Sequence, residues 1–565
     1  MVKQMTGNPL PQGCSVRGEI VNFSVSVPCE KTCELLLYRR GKKEPEETFE
    51  MPETEAFGLL RCIALRMSKP ENYEYNYRVD GEIMIDPYAK AYAGRNVWGH
   101  KEEETLQEVR AKIVSSEFDW GEDMRPHLKQ NEVIAYSLHV RGFTRHNSSK
   151  VRHKGTFNGL VEKLPYLKEL GVNQLHIMPA YDFEEDTTSY LNYWGYGEGY
   201  YFSPKSSYAT KNEVHEFKMM VKMLHEEKME LILEMPFTGD TPKMQIWECL
   251  RFWVMEYHVD GFIVNPCIID REFLANDPVL YGTKIMKKQD DFQNTMRRFL
   301  KGDEGMVPAV MWHLKHQSKE EETFNYITGQ TGFTLNDLVS YDQKHNEENG
   351  ENNQDGPDYN YSWNCGVEGP TRKRSILELR KRQAYNAFFL LLLAQGTPCI
   401  LAGDEFLNSQ KGNNNVYCQD NPVSWLDWAK LSREEEFHQF VKDLIEFRKA
   451  HPVFHPEKEM QGLDSTGCGI PDISYHGENA WQVPQEVSSR QLGVFYYGGE
   501  EEESIYVAYN MHWLPHQFAL PKLPKKKHWY LVASTEDGIL EEPVMIEDTK
   551  WIEVRERTIK VLIVK

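Results

Sequence analysis

The stretch that decides the fold is Cys249–Pro266, CLRFWVMEYHVDGFIVNP. Its apolar residues recur at helical spacing as far as Tyr257, and Gly261 then precedes the apolar run Phe262–Val264, which predicts a short buried strand. A helix that leads into a buried parallel strand is the repeating unit of a (β/α)8 barrel, in which catalytic groups lie at the carboxyl ends of the strands. Because Asn265 directly follows the predicted strand, we expect it to lie where a catalytic group would lie.

Alternating strand and helix patterns extend this unit on both sides, as a parallel barrel requires. The other predicted barrel strands are, in chain order, Val133–Val140, Gln174–Met178, Leu231–Pro236, Lys284–Met286, Ala309–Trp312, Asn325–Thr328 and Cys399–Ala402. Short β-rich runs precede and follow the barrel. We therefore predict an α/β protein with three domains: an N-terminal β-sandwich over residues 1–115, a (β/α)8 barrel over residues 116–455 and a C-terminal antiparallel β-sandwich over residues 456–565.

Composition restricts the possible partners. The 565 residues are 40% hydrophobic, enough for large cores, and carry a net charge of −21. Because polyanions would be repelled by most of this surface, we expect neither nucleic acid nor an anionic membrane as a partner, whereas a neutral ligand is compatible. The longest apolar run, Ala387–Ala394, is far shorter than the roughly 20 residues of a membrane span, and the first residues lack the apolar core of a signal peptide. We expect a cytoplasmic protein.

The ten cysteines are scattered along the chain and show neither CxxC nor cysteine–histidine ligand spacing. This distribution favours reduced thiols over disulfides or a metal centre. The acidic segment Glu347–Asp358 also lacks the alternating oxygen ligands and the glycine of an EF-hand. We expect no metal and no cofactor.

Long strings between Gly332 and Trp428 carry a family resemblance: GFTLNDLVSYDQKHNEENGENN, NYSWNCGVEGPT and LLLAQGTPCILAGDEFLNSQKGNNNVYCQDNPVSWLDW, with the shorter NYWGY, HVRGFTR and RKAHPVF elsewhere. Together they resemble the isoamylase-type glycogen debranching enzymes of the α-amylase superfamily, glycoside hydrolase family 13, which cleave α-1,6 branch linkages. Residues Tyr77–Gly94 are similar to the segment that closes the N-terminal, glycogen-binding-module-like sandwich of these enzymes. The resemblance implies an α-glucan ligand (glycogen, amylopectin or maltooligosaccharide) and no cofactor.

The same resemblance places the three catalytic positions of the family on residues that are not carboxylates. The pattern HVDGFRFD, which ends in the nucleophile, is HVDGFIVN here and ends in Asn265. The string NDPVL and the strand after it place Lys288 on the acid/base glutamate, and ITGQTGFTL places Thr331 on the third carboxylate, preceded by Gln330 instead of histidine. An amide is a weak nucleophile, and an ammonium with a pKa of about 10.4 is poorly suited to proton transfer at neutral pH. We therefore predict that these three residues are not catalytic.

The resemblance also implies a set of glucan-binding residues: Tyr196, Trp194, Gln330, Tyr361, Trp363 and Asn364. Tyr196 matches the aromatic residue that stacks on the sugar at the cleavage point, and ordinary packing is the alternative, above all for Trp194. Aromatic rings bind the apolar faces of sugars without any carboxylate, so a protein can still bind sugar after it has lost its catalytic residues. Lys288 is expected either to pair with Glu234 or to be a solvated surface lysine.

The favoured hypothesis is an inactive homologue that binds α-glucan or assists an active glucan enzyme. One alternative is a working hydrolase with relocated carboxylates, for which the candidates are Glu234, Asp240, Asp290, Asp291, Asp404 and Glu405. Asp404 and Glu405 match a structural segment of the family, whereas Asp290 and Asp291 are predicted to begin a helix. The other alternative is an interaction protein without sugar affinity. The polar segment Lys344–Asn364 is predicted to be either a disordered loop or an ordered binding loop.

Overall fold

In the computed structural model, parallel strands close into a barrel at the centre of the chain. The structure describes residues 2–53, 57–99, 109–187, 189–318, 321–464, 467–484, 486–499, 502–523 and 526–565. Within these ranges the barrel strands are Ala135–Leu138, Gln174–Ile177, Glu230–Glu234, Gly261–Ile263, Lys284–Lys288, Glu322–Asn325 and Thr397–Leu401. The first strand pairs in parallel with both the second and the last, which closes the barrel and confirms the predicted fold class.

The stretch Cys249–Pro266 forms the predicted helix and strand. The helix ends at Tyr257 and is followed by His258, whose backbone lies in the left-handed region at φ 55°. Gly261 begins the fourth barrel strand, where an added Cβ atom would come within 2.5 Å of the Lys284 carbonyl oxygen. The neighbouring strands therefore approach each other as closely as they do only because this residue is glycine. The strand ends at Ile263, one residue earlier than the sequence predicted.

One predicted barrel strand is wrong, because Ala309–Trp312 lies within the helix Val307–Lys315. Its buried residues include Val310 and Leu314, which are four positions apart and face the core. Pro308 occupies the first turn of the helix, where the missing N–H is tolerated. Four consecutive apolar residues fit a buried strand and a buried helix equally well, and the longer helical period decided the outcome.

The last two barrel strands are also displaced from their predicted positions. The strand predicted at Asn325–Thr328 lies at Glu322–Asn325, and the strand predicted at Cys399–Ala402 begins two residues earlier, at Thr397. Because Ala309–Trp312 is helical, the described barrel contains seven strands, one fewer than predicted.

The α-helices of the described chain surround the barrel or connect it to the flanking sheets. In Glu213–Glu226, for example, Phe217, Val221 and Leu224 form a buried apolar face. No helix in the described ranges combines the length and the apolar character needed to cross a membrane. The helices are Val140–Arg145, Phe157–Val161, Leu164–Leu170, Glu213–Glu226, Lys243–Tyr257, Arg271–Ala275, Asp290–Lys301, Val307–Lys315, Leu335–Leu338, Arg374–Leu392 and Glu435–Ala450.

Two antiparallel sheets precede the barrel. In spatial order the first contains Lys3–Thr6, Leu60–Arg66, Ile20–Ser26 and Gly13–Arg17, and the second contains Glu47–Glu50, Cys33–Arg39, Tyr73–Val79, Arg110–Lys112 and Tyr92–Ala93, with Glu82–Met84 paired to Tyr73–Val79. Arg95 anchors this region to the barrel because its guanidinium bonds Asp182 at 3.0 Å and Glu184 at 2.6 Å. These acids flank Phe183, which lies in a small hairpin formed by Tyr181–Phe183 and Gly199–Pro204.

Antiparallel sheets also follow the barrel, as predicted. The larger sheet contains, in spatial order, Ile473–His476, Gln491–Tyr496, Ile505–Asn510, Thr558–Val564, Trp529–Ser534 and Gly538–Met545, and the smaller one contains His516–Ala519 and Trp551–Val554. Asn386, on the helix Arg374–Leu392, donates to the Arg557 carbonyl at 2.8 Å and so joins the barrel to the larger sheet.

A buried histidine between two aspartates ties the segment before the barrel to the barrel itself. His225 Nδ1 lies 2.9 Å from Asp123 Oδ1, and its Nε2 lies 3.1 Å from Asp260 Oδ2. Ionised carboxylates only accept hydrogen bonds, so both bonds form together only when the imidazole carries two protons. Burial alone would lower the pKa of His225, but the hydrogen bonds and charges of the two aspartates outweigh it and raise the pKa. His258 Nδ1 also contacts Asp123, at 2.6 Å, and Arg125 adds a cation to the cluster.

We expect Asp123→Asn to lower the free energy of unfolding by about 2 kcal/mol near pH 6, since it removes a charged partner of a buried imidazolium. Because the pKa of His225 is raised in the folded state, this stabilisation is complete below the unfolded-state pKa of about 6.5 and is lost as the pH rises through the folded-state pKa. Urea unfolding at a series of pH values, followed by circular dichroism, measures the difference.

The matched control is Glu122→Gln, which neutralises an exposed carboxylate next to Asp123 and should leave unfolding unchanged. A difference between wild type and Asp123→Asn that stays constant or grows toward alkaline pH would contradict the assigned role of His225.

Candidate functional site

Three side chains meet where the third and fifth barrel strands end. Glu234 is the last residue of the third strand, and Lys288 is the last residue of the fifth. Oxygen Oε1 of Glu234 accepts a hydrogen bond from the Tyr196 hydroxyl at 2.9 Å and one from Lys288 Nζ at 3.3 Å. Of the two alternatives for Lys288, the pairing with Glu234 is the one that fits, and we call these three residues the Glu234 cluster.

The charges of the Glu234 cluster fix the protonation of its members. The negative charge of Glu234 raises the pKa of Lys288, and Asp290 adds to this effect. Lys288 therefore stays protonated at neutral pH, where it can donate hydrogen bonds but cannot take up a proton. Burial and the same carboxylate raise the pKa of the Tyr196 phenol well above its usual range. Neither group is suited to general acid/base work near neutral pH.

Asn265 lies exposed just beyond the fourth strand, close to its predicted position. Its side-chain oxygen accepts a hydrogen bond from the backbone N–H of Cys267 at 3.0 Å, and its carbonyl accepts one from Ile268 at 3.2 Å. The amide oxygen of Asn265 is thus used to hold the turn that follows the strand.

Gln330 and Thr331 follow the sixth barrel strand, with Gln330 half-buried and Thr331 exposed. The turn continues through Gly332 at φ 112°, a conformation suited to glycine, and the Gly332 N–H donates to the Asn414 carbonyl at 2.8 Å. Thr331 therefore presents a hydroxyl to solvent at the position where the resemblance places a carboxylate.

The structure separates the predicted aromatic residues by environment. Trp194 is only 4% exposed and packs among Met178, Tyr193 and Val416. Its ring centroid lies 5.6 Å from that of Tyr196, at an angle of 62°. Trp194 therefore supports Tyr196 and fits the packing alternative, while Tyr196 remains partly exposed.

Tyr361, Trp363 and Asn364 have other partners. The Arg298 guanidinium carbon lies 5.7 Å from the Tyr361 ring centroid, and that of Arg557 lies 4.9 Å from the Trp363 ring centroid. The side-chain amide of Asn364 donates to Glu368 at 3.0 Å. Arg298 lies on the helix Asp290–Lys301, Arg557 directly precedes the strand Thr558–Val564, and Glu368 lies in a loop. No described hydrogen bond or ring contact joins Tyr361, Trp363 or Asn364 to the Glu234 cluster.

The polar segment Lys344–Asn364 is held by a network of asparagine side chains. Asn346 is fully buried, and its amide donates to the Asp355 carbonyl and to the Asn414 side chain, each at 2.9 Å. Asn349 donates to Asp355 and to the Asn415 carbonyl. Of the two predictions for this segment, the ordered loop is therefore the one that fits.

Most of the other candidate carboxylates are committed to structural contacts. Asp404 is 3% exposed and accepts hydrogen bonds from the Thr328 hydroxyl and the Leu335 N–H. Its burial raises the pKa of Asp404 to about 7, but this carboxyl group is shielded from any ligand. Glu405 is fully buried and accepts from the Tyr136 hydroxyl at 2.7 Å and the Tyr166 hydroxyl at 2.6 Å.

Asp290 and Asp291 begin the helix Asp290–Lys301, as predicted, and Asp240 is exposed in the turn after the third strand. Tyr326 donates to Asp290, next to Lys288. The sequence did not single out Tyr326, because the predicted strand was placed three residues too late and put this residue inside it; a strand ending at Asn325 puts Tyr326 at the mouth of the barrel. The described chain contains no group of three or more metal-ligating side chains arranged to hold a metal ion.

We expect Glu234→Gln to make Lys288 more reactive toward amine reagents, because loss of the carboxylate lowers the pKa of Lys288 and frees its ammonium group. A fall of one pKa unit would make the reaction at pH 8 about tenfold faster. Peptide mass spectrometry after timed reductive methylation measures the rate at Lys288. Asp240→Asn, which neutralises an exposed carboxylate in the turn after the third strand, is the control and should leave the rate unchanged. Equal rates in wild type and Glu234→Gln would show that the ion pair does not form.

Known proteins resemble this chain over most of its length. Residues 138–238 match the family model described as alpha amylase, catalytic domain. The chain is 30% identical to Isoamylase 1, chloroplastic, of Arabidopsis thaliana, covering 92% of this chain and 83% of that protein. It is 31% identical to the Glycogen operon protein GlgX homolog of Haemophilus influenzae, covering 78% of this chain and 84% of that protein.

Solved structures share the fold. The catalytic module of the multi-modular glycogen-degrading pneumococcal virulence factor SpuA superimposes with a TM-score of 0.77 at 17% identity, covering 98% of this chain and 97% of that one. Pullulanase type I from Bacillus subtilis, complexed with maltose, gives a TM-score of 0.73 at 20% identity, covering 98% and 85%. With its barrel, its flanking sheets and relatives at 30% identity or above, the chain belongs to the isoamylase-type debranching enzymes of the α-amylase family.

Proposed function

We propose that the protein binds α-glucan at the mouth of the barrel and does not hydrolyse it. The observation that carries this proposal is the engagement of Glu234, whose Oε1 atom accepts hydrogen bonds from both Lys288 and Tyr196. A retaining glycosidase needs two carboxyl groups about 5 to 5.5 Å apart, one as nucleophile and one as acid/base. Asp290 is bonded to Tyr326, and Asp404 and Glu405 are buried, so the hypothesis of relocated carboxylates finds no support among these groups.

The residues proposed to occupy the catalytic positions of the family offer no substitute chemistry. Asn265 uses its amide oxygen to hold a turn, Lys288 remains protonated, and Thr331 carries only a hydroxyl. The chain therefore lacks both a nucleophile and an acid/base group for hydrolysis. General acid/base catalysis alone contributes about 10²- to 10⁴-fold to the rate.

Binding makes smaller demands than hydrolysis. Tyr196 is held by its hydroxyl to Glu234 and by its ring to Trp194, so its orientation is fixed before any ligand arrives. A preorganised, partly exposed ring can stack on the apolar face of a sugar. Gln330, half-buried beside the sixth strand, can supply hydrogen bonds to hydroxyl groups. Ligands of this class occur in solved neighbours, such as a pullulanase from Paenibacillus barengoltzii in complex with maltohexaose and α-cyclodextrin.

A second candidate function is assistance of an active debranching or branching enzyme. It is favoured by exposed apolar side chains in the segments before and after the fourth barrel strand. Met244 is 60% exposed, Phe273 is 52% exposed and Tyr281 is 78% exposed. Co-elution with such an enzyme in gel filtration tests this function, and a chain that always elutes alone would count against it. We also propose a reducing compartment, the cytoplasm, which is supported by the free thiols of Cys14, Cys249 and Cys399, all buried and none in a disulfide.

Native electrophoresis through a gel that contains amylopectin tests the main proposal. We expect the wild-type chain to be retarded relative to a plain gel and to leave the iodine colour unchanged after incubation, beside an active isoamylase that changes it. Tyr196→Ala should weaken the retardation about fivefold, since it removes the stacking surface at the cost of about 1 kcal/mol.

The control variant is Trp312→Ala. Trp312 lies on the helix Val307–Lys315, and its ring is 47% exposed and stacks on His316. It should migrate like the wild type. A changed iodine colour would refute the loss of hydrolysis, and equal retardation of wild type and Tyr196→Ala would refute binding at the Glu234 cluster.

A further inference from the structure

A groove lies in the C-terminal part of the chain, along the segment that connects the paired strands Ile473–His476 and Gln491–Tyr496. Its volume of about 750 Å³ falls in the range of small-molecule sites. The described residues that line it belong to the turn after the first of these strands and to the start of the second, and none of them belongs to the Glu234 cluster. The groove is therefore separate from the mouth of the barrel.

Trp481 is the largest side chain in this groove and is 49% exposed. Its backbone lies in the left-handed region at φ 66°, which is unfavourable for a bulky residue. The His476 ring is 5.0 Å away and inclined by 61°, and no described ring or cation stacks on the face of the indole. Strained backbone of this kind concentrates at ligand sites, where the surrounding structure holds it in place.

His476 holds Trp481 in this conformation. It is fully buried, and its Nδ1 atom accepts a hydrogen bond from the Trp481 N–H at 2.9 Å. Its Nε2 atom must then carry the proton, which it donates to the Ser474 hydroxyl at 2.9 Å. Burial lowers the pKa of His476 to about 4, so this neutral tautomer persists at neutral pH. The backbone of Trp481 is thus held by a buried residue at the end of the preceding strand.

The polar groups of the groove suit a neutral ligand with many hydroxyls. The side-chain amides of Asn479 and Gln482 line it and hydrogen-bond to no described residue, so they can both donate to and accept from a ligand. Glu478 and Glu486 add carboxylate acceptors, and the described lining contains no lysine or arginine. The two carboxylates would therefore repel a phosphate or carboxylate ligand, and no lysine or arginine of the described lining would pair with it. A pyranose chain offers both an apolar face for the indole and hydroxyls for the amides.

We propose that this groove is a second binding site for a neutral oligosaccharide, with Trp481 as the stacking surface and Asn479 and Gln482 as hydrogen-bonding partners. The choice of α-glucan as the oligosaccharide rests on the proposed function, whereas the site itself does not. A chain with two separate sites binds a long or branched glucan more tightly than either site binds alone, because the second contact becomes intramolecular. Short oligosaccharides fill the two sites independently.

Calorimetric titration of the full chain with maltoheptaose, together with electrophoresis in amylopectin, tests the second site. The wild type should bind two molecules of maltoheptaose, and Trp481→Ala should bind one. Loss of this stacking surface should also weaken retention by amylopectin roughly two- to tenfold. Trp481→Phe keeps an aromatic face and should retain part of the affinity. Trp481→Gly accepts the positive φ without strain, so loss of binding in this variant reports the missing ring and not a misfolded turn.

The matched control is Trp513→Ala. Trp513 is 56% exposed in the same part of the chain, but its ring already stacks on His512 at 4.1 Å and lies 4.6 Å from the Arg490 guanidinium carbon. This variant should bind like the wild type. Equal loss in Trp513→Ala and Trp481→Ala would overturn the assignment to the groove.

The variants also separate the two proposals. If Tyr196→Ala loses binding and Trp481→Ala does not, the second site is refuted and the barrel site stands. If Trp481→Ala abolishes binding while Tyr196→Ala leaves it unchanged, the groove is supported and the barrel site is refuted. A wild-type chain that binds neither maltoheptaose nor amylopectin refutes both.

Discussion

The Glu234 carboxylate is the group on which the mouth of the barrel depends. One of its oxygens holds both Lys288, from the fifth strand, and Tyr196, from the loop beyond the second. The Lys288 side chain is 40% exposed, so solvent screens the ion pair, which contributes at most about 1 kcal/mol to stability. Its consequence is therefore a matter of position and charge: Lys288 stays protonated, and Tyr196 stays oriented.

Strand register explains why Glu234 and Lys288 meet. Glu234 pairs with Ile263, and Ile263 pairs with Met286, so Lys288 lies two residues beyond the level of Glu234 on the fifth strand. Residues two apart on a strand share a face, and Met286 belongs to the apolar cluster inside the barrel. Lys288 is thus directed over the barrel mouth, where its flexible side chain reaches back to the carboxylate. Register in turn depends on the close approach that Gly261 permits between the fourth and fifth strands.

Local patterns predicted much of this architecture and failed where distant residues decide the outcome. The helix and strand around Gly261 followed from periodicity. Lys288 was placed by the family resemblance, and its pairing with Glu234 was one of two alternatives. Ala309–Trp312 was wrong because a short apolar run carries no distinguishing period. Trp363 was grouped with Tyr196, yet its ring lies against Arg557, near the end of the chain, and no local pattern encodes such a contact.

Buried carboxylates keep the loops at the mouth of the barrel in place. Asp404 accepts hydrogen bonds from Thr328 and Leu335, and Glu405 accepts them from two tyrosines. A buried carboxylate of this kind cannot be recruited for catalysis without leaving its donors unsatisfied, which costs about 1 to 3 kcal/mol for each group. Asn265 and Thr331 are exposed, so packing does not fix the residue type at these two positions. The loops at the mouth of the barrel therefore depend on Asp404 and Glu405, whereas the residues at positions 265 and 331 can vary without such a cost.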